Sequence, residues 1–323
     1  MKKILVTYQI PRSGLAELFE KFEVSYPDKP ALSRAEVLAA IPAYDALIPP
    51  GVQVDRALLD AAANLKLISN YGAGYDNIDV DYCTAKGILV TNIPEAVTES
   101  TAEVAFGLML AVMRRIPELD RKLRLPARLD WGVMSQLGHN LYGKTLGIIG
   151  MGRIGMALAK RASAFGMKIV YSNRKPLAPA KEAEVAASYA ELRELLQKSD
   201  VISIHVPYSP QTRHFIGPAE LALLKPTAYL INTSRGPVID EAALVQSLKA
   251  GRIAGAGLDV FENEPAIPPE LMALDQVVLT PHIGTRTIEA REGMARAAAQ
   301  NVLDFFAGKQ PAFMVNPEVM SRK

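Results

Sequence analysis

The chain has 323 residues, of which 49% are hydrophobic and 22% are charged, and its formal net charge is +2. This length predicts two domains with sizeable cores, and the near balance of charges excludes nucleic acid or an anionic membrane as an electrostatic partner. Cys83 is the single cysteine, which excludes disulfide frameworks and cysteine-based metal sites. We therefore expect a soluble, cytoplasmic, metal-free protein.

Short apolar runs alternate with helical patterns from the amino terminus onward. Strands are predicted at residues 4–6, 46–48 and 67–69, and helices at residues 16–22, 33–40 and 56–63. Such alternation predicts a parallel sheet covered by helices. Ser33 and Ser100 are each followed three residues later by a glutamate, the spacing of a capping box, so a helix should begin at each serine. The helix from Ser100 is expected to continue to about Leu123 and to bridge two domains.

A second series of strands and helices follows residues 125–142, a stretch with little periodicity. Strands are predicted at residues 145–149, 168–171, 201–205, 228–231, 256–259 and 277–280, and a last helix at residues 288–306. We therefore predict an α/β protein with two doubly wound parallel-sheet domains, one flavodoxin-like and one of the Rossmann type, with a cleft between them.

A glycine-rich turn, GMGRIG at residues 150–155, lies between an apolar strand and an amphipathic helix. Gly150 permits the tight turn, Gly152 lets the backbone approach a pyrophosphate, and Gly155 lets helix and strand pack closely. Amides at the start of the helix, including that of Ile154, would hold the anion, and Arg153 would add positive charge. The complete strand–turn–helix context favours a dinucleotide site over a βα turn without a ligand.

The residues after the next strand, Ser172, Asn173, Arg174 and Lys175, bear on the choice of dinucleotide. An NAD enzyme carries an acidic residue here for the ribose hydroxyls, whereas this chain offers two cations and two hydrogen-bond donors for a 2′-phosphate. We predict that NADP(H) is preferred, with NAD(H) as the alternative if the two cations are ordinary solvated loop residues.

Three polar residues follow later strands, where open α/β sheets place their sites: Arg235, Glu264 and His282. Reduction of a 2-oxo acid needs a cation for the substrate carboxylate, a proton donor for the developing alkoxide, and a partner that keeps the donor protonated. Arginine, histidine and glutamate can fill these roles in that order. Taken singly, each has a plainer explanation as a surface cation, a member of a charged turn, or a hydrogen-bonded loop histidine.

Together with the glycine turn, these segments resemble the D-isomer-specific 2-hydroxyacid dehydrogenase family over nearly the whole chain. The GYDNID segment at residues 74–79, the GMGRIG turn and the basic residues after the second strand are most similar to the glyoxylate, hydroxypyruvate and 2-ketogluconate reductases. The resemblance implies that His282 is the acid/base, that Glu264 pairs with it, and that Arg235 clamps the substrate carboxylate and carbonyl.

The resemblance also implies further contacts and an assembly. Ala73 and Gly74 would bind the substrate carboxylate through their amides. Cofactor contacts would come from Thr101, Val206, Pro207, Thr212, Thr233, Ser234, Asp259 and Gly284 as well as from Arg235 and His282. Residues 1–98 with 292–323 would form the substrate-binding domain and residues 99–291 the NAD(P)-binding domain. A homodimer through the cofactor domains is implied, and it would cover the apolar face at residues 104–113 unless that face is buried within the monomer.

Two departures from the family pattern leave details open. Arg286 follows Thr285 where the family usually has two small residues, which leaves the size of the substrate open, and residues 125–138 keep Trp131 but little else of the usual pattern. We expect an NADPH-preferring reductase of small 2-oxo acids such as glyoxylate, hydroxypyruvate or 2-ketogluconate. The alternatives are an NADH-dependent dehydrogenase of the D-lactate type and a dinucleotide-sensing, corepressor-like binding protein.

Overall fold

The chain folds into two compact α/β units in the computed structural model, which describes residues 1–126 and 129–322. The first unit comprises residues 1–97 and the residues from Thr285 onward, and the second comprises residues 98–284. Within the described residues, no helix combines the length and the apolar character needed to span a bilayer. Cys83 is fully buried, and burial raises the pKa of its thiol to about 12, which makes it an inert packed side chain.

The first unit is built on a five-stranded parallel sheet. Its elements are β1 (Lys3–Val6), α1 (Ala16–Lys21), β2 (Glu23–Ser25), α2 (Arg34–Ala40), β3 (Ala46–Ile48), α3 (Arg56–Ala61), β4 (Leu67–Ser69), α4 (Val80–Ala85) and β5 (Leu89–Thr91). The strand order β2-β1-β3-β4-β5 is the flavodoxin-like order that was predicted. Two strands were not predicted: β2 is an edge strand with the sequence EVS and a single apolar residue, and β5 was missed although its three residues are buried.

Alternation along β1 shows why this sheet is buried on both faces. Ile4 and Val6 join one apolar core, whereas Leu5 joins the core on the opposite face. Each such side chain contributes roughly 1.5–3 kcal/mol when it is fully buried. The capping box at Ser33 is confirmed, because its hydroxyl accepts from the Glu36 amide and the Glu36 carboxylate accepts from the Ser33 amide.

The second unit is built on a seven-stranded parallel sheet. Its elements are α5 (Thr98–Met113), α6 (Ile116–Leu123), β6 (Thr145–Ile149), α7 (Arg153–Ala164), β7 (Lys168–Ser172), α8 (Pro179–Ala183), β8 (Ala187–Tyr189), α9 (Leu192–Lys198), β9 (Val201–Ile204), α10 (Pro218–Leu221), β10 (Tyr229–Asn232), α11 (Glu241–Lys249), β11 (Gly255–Leu258), α12 (Pro269–Met272) and β12 (Val277–Leu279). The order β12-β11-β10-β9-β6-β7-β8 confirms a doubly wound sheet. The order reverses at β6, and open α/β sheets bind ligands beside such a reversal.

The long helix expected from Ser100 to Leu123 is instead two helices, and this prediction was wrong. The first begins at Thr98, two residues before Ser100, and ends at Met113; the second begins at Ile116. Arg115 adopts a left-handed conformation with φ of 56°, and Pro117 follows in the first turn of α6. Because proline cannot donate to the preceding turn and its ring clashes there, the chain must break before it.

The apolar face of α5 is buried inside the second unit. Leu108 and Val112 pack on β11, where a Cβ atom at Gly257 would lie 2.9 Å from Leu108 Cβ and one at Gly255 would lie 3.0 Å from Val112 Cγ2. Because the two glycines have no side chains, α5 can pack closely against β11. Burial within the chain, the alternative left open above, accounts for this face, so the face offers no argument for a homodimer.

The last helix, α13 (Ile288–Phe306), belongs entirely to the first unit. Tyr71 Oη donates to the Arg291 carbonyl over 2.8 Å, and a Cβ atom at Gly14 would lie 2.5 Å from Ala295 Cβ. The sequence analysis placed the domain boundary inside this helix, between residues 291 and 292. The division instead precedes the helix, because the first turn of the helix is already tied to the first unit.

A buried glutamate stabilises the start of α6. Glu118 is 5% exposed, and its carboxylate accepts hydrogen bonds from Arg115 Nε and Nη2 and from Lys122 Nζ over 2.6–2.8 Å. The hydrogen bonds from Arg115, and then those from Lys122, lower the pKa of Glu118 to about 2 against the opposing effect of burial.

We predict that Glu118→Gln destabilises the protein by about 2 kcal/mol at pH 7, because one partner of a buried charge cluster is lost. A depressed pKa contributes stability above the ordinary value of 4.5 and loses it as the pH falls toward 2. In urea unfolding, the difference in the free energy of unfolding between wild type and variant should therefore be constant from pH 7 to pH 5 and smaller at pH 3.5. Glu103→Gln, which breaks an exposed pair with Arg161 at 3.4 Å, is the control and should cost under about 0.5 kcal/mol. Equal effects of the two variants would contradict the prediction.

Candidate active site

The glycine turn after β6 has the geometry of an anion cradle. Gly150 has φ of +95°, and a Cβ atom there would lie 2.8 Å from the His205 carbonyl oxygen. A Cβ atom at Gly155 would lie 2.6 Å from the Gly150 carbonyl oxygen, so α7 packs directly on the turn. A Cβ atom at Gly152 would have no neighbour within 4 Å, which leaves the approach to this backbone open.

The start of α7 supplies donors to this cradle. The helix begins at Arg153, so the amides of Arg153 and Ile154 have no acceptor within the helix, and they lie at the positive end of the helix dipole. These amides, the open approach at Gly152 and the tight packing at Gly155 fit the pyrophosphate of a dinucleotide.

The loop after β7 is tied to the glycine turn. The Gly150 amide donates to the Ser172 carbonyl over 3.0 Å, and the Met151 amide donates to Asn173 Oδ1 over 2.7 Å. Asn173 therefore links the two loops, a role that the sequence analysis did not anticipate. Arg174 and Lys175 are exposed, and in the described part of the chain neither has a carboxylate partner.

A buried tyrosine holds this loop from below. Tyr171 is fully buried, and its hydroxyl donates to Glu182 Oε1 over 2.6 Å and accepts from the Leu177 amide over 2.7 Å. Burial, followed by the bond to Glu182, raises the pKa of Tyr171, so the hydroxyl stays protonated. The Tyr171 hydroxyl thus anchors the loop between residues 172 and 177, which includes both cations.

The loop after β9 lies against the same turn. Val206 Cγ1 would be 3.0 Å from a Cβ atom at Gly150, so Val206 packs on the glycine turn. Thr212 Oγ1 donates to the Pro207 carbonyl and accepts from the Ser209 amide, each over 2.8 Å. The hydroxyl of Thr212 thus shapes the loop, and Pro207 lies exposed on it.

One buried hydroxyl in this unit lacks a partner. Thr233 follows β10 and is 8% exposed, and its Oγ1 is the one buried side-chain polar atom among the described residues without a hydrogen bond. A buried polar group normally has a partner, so this hydroxyl fits a polar group of a bound cofactor. Thr101, also buried, donates to the Gly284 carbonyl over 3.3 Å.

Arg235 stands on a loop that is closed by an asparagine. Asn232 Nδ2 donates to the Arg235 carbonyl over 3.0 Å, and Asn232 Oδ1 accepts from the amide and the hydroxyl of Ser234. Arg235 Nη1 donates to the Ser234 carbonyl over 2.8 Å, which orients the guanidinium. The sequence analysis missed Asn232, although a buried asparagine at the end of a strand is a signal for such a closure.

His282 and Glu264 form the pair that the sequence predicted to be close in space. His282 Nδ1 lies 2.9 Å from Glu264 Oε2, and Glu264 Oε1 accepts from the Phe261 amide over 3.0 Å. Burial raises the pKa of Glu264, but the bonds from His282 and Phe261 and the charge of Arg235 together hold it below its ordinary value. Glu264 is therefore a carboxylate at neutral pH, in the field of both His282 and Arg235.

The turn that carries His282 is organised by Asp259. His282 has φ of +52°, a conformation that non-glycine residues seldom adopt. Asp259 is 1% exposed; its Oδ1 accepts from Thr280 Oγ1 and the Ile283 amide, each over 2.7 Å, and its Oδ2 accepts from the Gly284 amide over 2.8 Å. In this structure the Asp259 carboxylate is committed to holding the histidine turn.

The loop after β4 in the first unit is held through its backbone carbonyls. Asn70 Nδ2 donates to the carbonyls of Gly72 and Gly74, and Asn92 Nδ2 donates to the Ala73 carbonyl, over 2.7–3.1 Å. Three successive carbonyls are thus fixed by two asparagines that the sequence analysis did not single out. Arg286, also in this unit, has an exposed side chain.

Comparison with known proteins identifies relatives over the full length. The chain is 48% identical over 325 aligned residues to the glyoxylate reductase of Thermococcus litoralis, with 99% of this chain and 98% of the relative covered. It is 43% identical to the glyoxylate reductase of Pyrococcus furiosus, with 98% and 96% covered.

Solved structures give the same result. A glyoxylate reductase from Paecilomyes thermophila matches with a TM-score of 0.89 at 36% identity, covering 98% of this chain and 99% of that one. The NADPH-dependent glyoxylate/hydroxypyruvate reductase of Sinorhizobium meliloti, in complex with NADP and malonate, matches with a TM-score of 0.84 at 33% identity, covering 97% and 96%.

The family model described as D-isomer specific 2-hydroxyacid dehydrogenase, NAD binding domain, matches residues 106–284, nearly all of the second unit. With the glycine cradle and the full-length relatives, this match shows that the chain belongs to the D-isomer-specific 2-hydroxyacid dehydrogenase family and is an NAD(P)-dependent oxidoreductase.

Proposed function

We propose that the protein is an NADPH-preferring reductase that converts glyoxylate to glycolate and hydroxypyruvate to D-glycerate. The observation that carries the proposal is the His282–Glu264 pair, 2.9 Å apart and in the field of Arg235. Relatives named glyoxylate reductase, at 43–48% identity, support the choice of a small substrate.

His282 is the histidine best suited to donate the proton. Of the four histidines in the chain, His139 bonds to Tyr229 Oη and His214 to Glu262 Oε1. Burial lowers the pKa of His205 to about 4, so that ring is neutral at pH 7. His282 also pairs with a carboxylate, but its side chain is 44% exposed against 34% for His214, and its partner Glu264 lies in the field of Arg235.

In the proposed mechanism, a bound nicotinamide supplies the hydride to the carbonyl carbon, and the protein handles the charge. His282 donates its proton from Nε2 to the carbonyl oxygen, since Nδ1 is engaged with Glu264. The Glu264 carboxylate stabilises the imidazolium and fixes its orientation. Arg235 binds the substrate carboxylate and stabilises the negative charge that develops on the oxygen. The substrate-binding roles of Ala73 and Gly74, on the first unit, stay predictions.

We predict that His282→Ala lowers kcat for glyoxylate about 10²- to 10⁴-fold, because the proton donor is lost, and leaves NADPH affinity within about threefold. Glu264→Gln should also lower kcat and should move the alkaline limb of the pH profile toward acid, because a neutral amide no longer stabilises the imidazolium. Steady-state kinetics from pH 5 to 9 with fluorescence titration of NADPH would measure both effects. His139→Asn, which preserves a donor toward Tyr229, is the matched control. Full activity of His282→Ala would refute the assignment.

The preference for NADPH rests on the loop after β7. No carboxylate occurs at residues 172–175, and Arg174 and Lys175 stand exposed on a loop that Tyr171 and Asn173 hold in place. A charge-assisted hydrogen bond to a 2′-phosphate contributes about 1.5–3 kcal/mol, and a ribose hydroxyl cannot replace it.

Arg174→Ala should therefore lower kcat/KM for NADPH about 10- to 100-fold and leave kcat/KM for NADH within about twofold. Arg252→Ala is the control, since Arg252 is an exposed arginine before β11, at the opposite end of the sheet. The measurement is initial-rate kinetics with each cofactor. Equal losses with both cofactors, or a higher wild-type kcat/KM with NADH, would contradict the preference.

We further propose a homodimer, on the basis of the segment after α6 rather than the face of α5. Trp131, Val133 and Met134 are 83%, 94% and 78% exposed, and Leu125 and Leu137 are also exposed. A monomer seldom exposes so many large apolar side chains together, and a second copy would cover them.

Light scattering during gel filtration should give about 70 kDa, twice the chain mass of 35.0 kDa. Substitution of Val133 and Met134 by aspartate should shift the protein toward the monomer, because buried charges without partners are costly. Substitution of the exposed Met272 by aspartate is the control. A wild-type protein of 35.0 kDa at micromolar concentration would exclude the dimer.

A further inference from the structure

A second histidine–carboxylate pair lies on the loop that carries Glu264. His214 Nε2 is 2.7 Å from Glu262 Oε1, and Glu262 is two residues before Glu264 in the segment after β11. The loop thus places one carboxylate against His282 and another against His214. The proposed mechanism uses only the first of these pairs.

The same loop is also fixed along its backbone. The Glu262 amide donates to Glu241 Oε2 over 3.3 Å, and a Cβ atom at Gly236 would lie 1.9 Å from the Phe261 carbonyl carbon. The backbone after β10 therefore presses directly on residues 261–262. The Asn263–Ala266 bridge closes the loop just beyond, so Glu264 sits at the tip of a short turn whose stem is anchored at Phe261 and Glu262.

The backbone of His214 is held by an unusual conformation and a hydrogen bond. It has φ of +49°, a left-handed conformation that non-glycine residues seldom adopt, and its amide donates to the Pro237 carbonyl over 2.8 Å. The bridge between Ile216 and Ile239 continues this pairing with the segment that follows Arg235. His214 thus spans two loops: its backbone bonds to the segment after Arg235, and its ring bonds to the segment before Glu264.

Three carboxyl groups lie on the segments around the ring. Glu262, Asp240 and Glu241 are three carboxyl groups on neighbouring segments; Asp240 Oδ2 is 4.0 Å from His214 Nδ1, and Arg213 Nη2 is 3.7 Å from Glu262 Oε1. Burial raises the pKa of Glu241, which is 8% exposed. Without His214, the Glu262 carboxylate would lose its 2.7 Å hydrogen bond and keep Arg213, at 3.7 Å, as its side-chain partner.

We propose that His214 and Glu262 are positioning residues for proton transfer: their pair fixes residues 261–264 and thereby holds the Glu264 carboxylate against His282. The inference rests on the proposed roles of Glu264 and His282. A misplacement of a catalytic group by about 1 Å can cost up to 10²-fold in rate. Loss of the pair therefore acts on kcat and on the pH profile, while cofactor binding at the glycine turn is unchanged.

The test compares His214→Ala, Glu262→Ala and the double variant in the full-length protein. Each single variant should lower kcat for glyoxylate about tenfold and move the alkaline limb of the pH profile toward acid, with KM for NADPH within about twofold. The double variant should be no worse than the more impaired single variant, because both remove one interaction. Glu262→Gln keeps an acceptor for His214 and should retain activity within about threefold. Glu270→Ala, at an exposed glutamate of α12, is the matched control.

Glu264→Gln serves as the background that separates this inference from the proposed function. If positioning acts through Glu264, adding Glu262→Ala to Glu264→Gln causes no further loss. Unchanged kcat and pH profile in His214→Ala and Glu262→Ala, together with an impaired Glu264→Gln, would overturn the positioning role alone. Full activity of Glu264→Gln would overturn the proposed function. A loss of kcat without any shift in the pH profile would show a merely structural role, and circular dichroism of each variant excludes unfolding as its cause.

Discussion

The hydrogen bonds of the Asp259 carboxylate are the constraint on which the proposed acid–base site depends. Asp259 is buried at the end of β11 and accepts from Thr280, Ile283 and Gly284, all on the turn that carries His282. A buried carboxylate must be satisfied by hydrogen bonds, and here the donors that satisfy it are those that force His282 into its left-handed conformation. The hydrogen bonds that compensate for burial of the Asp259 carboxylate thus also set the orientation of the proposed proton donor.

The same logic extends along the loop after β11. Glu264 accepts one hydrogen bond from the Phe261 amide and forms another with His282. One carboxylate therefore connects the backbone of its own loop to the His282 ring. Gly236 lets the backbone after β10 approach the loop more closely than any side chain would permit. Arg235, the residue before this glycine, is therefore placed by the same contact that places Glu264. The three proposed catalytic residues form one packed assembly rather than three independent loops.

The sequence predicted this fold well where a strand is a buried apolar run or is followed by a turn with a clear chemical signature. The bounds predicted for the strands at 46–48, 67–69 and 145–149 and for the last helix agree with the structure. The edge strands β2 and β8 escaped prediction because their residues are exposed or half-buried and form no apolar run, and β5 was missed although it is buried. The break between α5 and α6 was missed because Pro117 lies inside an otherwise continuous helical pattern.

For the candidate site, the sequence predicted residue types and their positions at strand ends. It could not predict which of these side chains form hydrogen bonds to other groups of the protein and so hold the loops in place. Asn173 bonds to a neighbouring loop in the structure, Ser234 bonds to Asn232 at the end of the preceding strand, and Asp259 bonds to three groups of one turn. Their partners lie up to 25 residues away or across a sheet, so spacing alone does not reveal them. The Asn70 and Asn92 closures were missed for the same reason: a single asparagine in a loop resembles any polar loop residue until its acceptors are located.

The strand order also separates two properties of the proposed enzyme. β7, which leads into Arg174 and Lys175, lies on one side of β6, whereas β9, β10, β11 and β12 lie on the other. The groups proposed to select the cofactor phosphate therefore share no loop with Arg235, Glu264 or His282. The two sets are linked through the glycine turn, where Met151 bonds to Asn173 and Gly150 packs on His205. Because independent sites contribute additively, cofactor preference can change through residues 172–175 while the proton-transfer pair keeps its geometry.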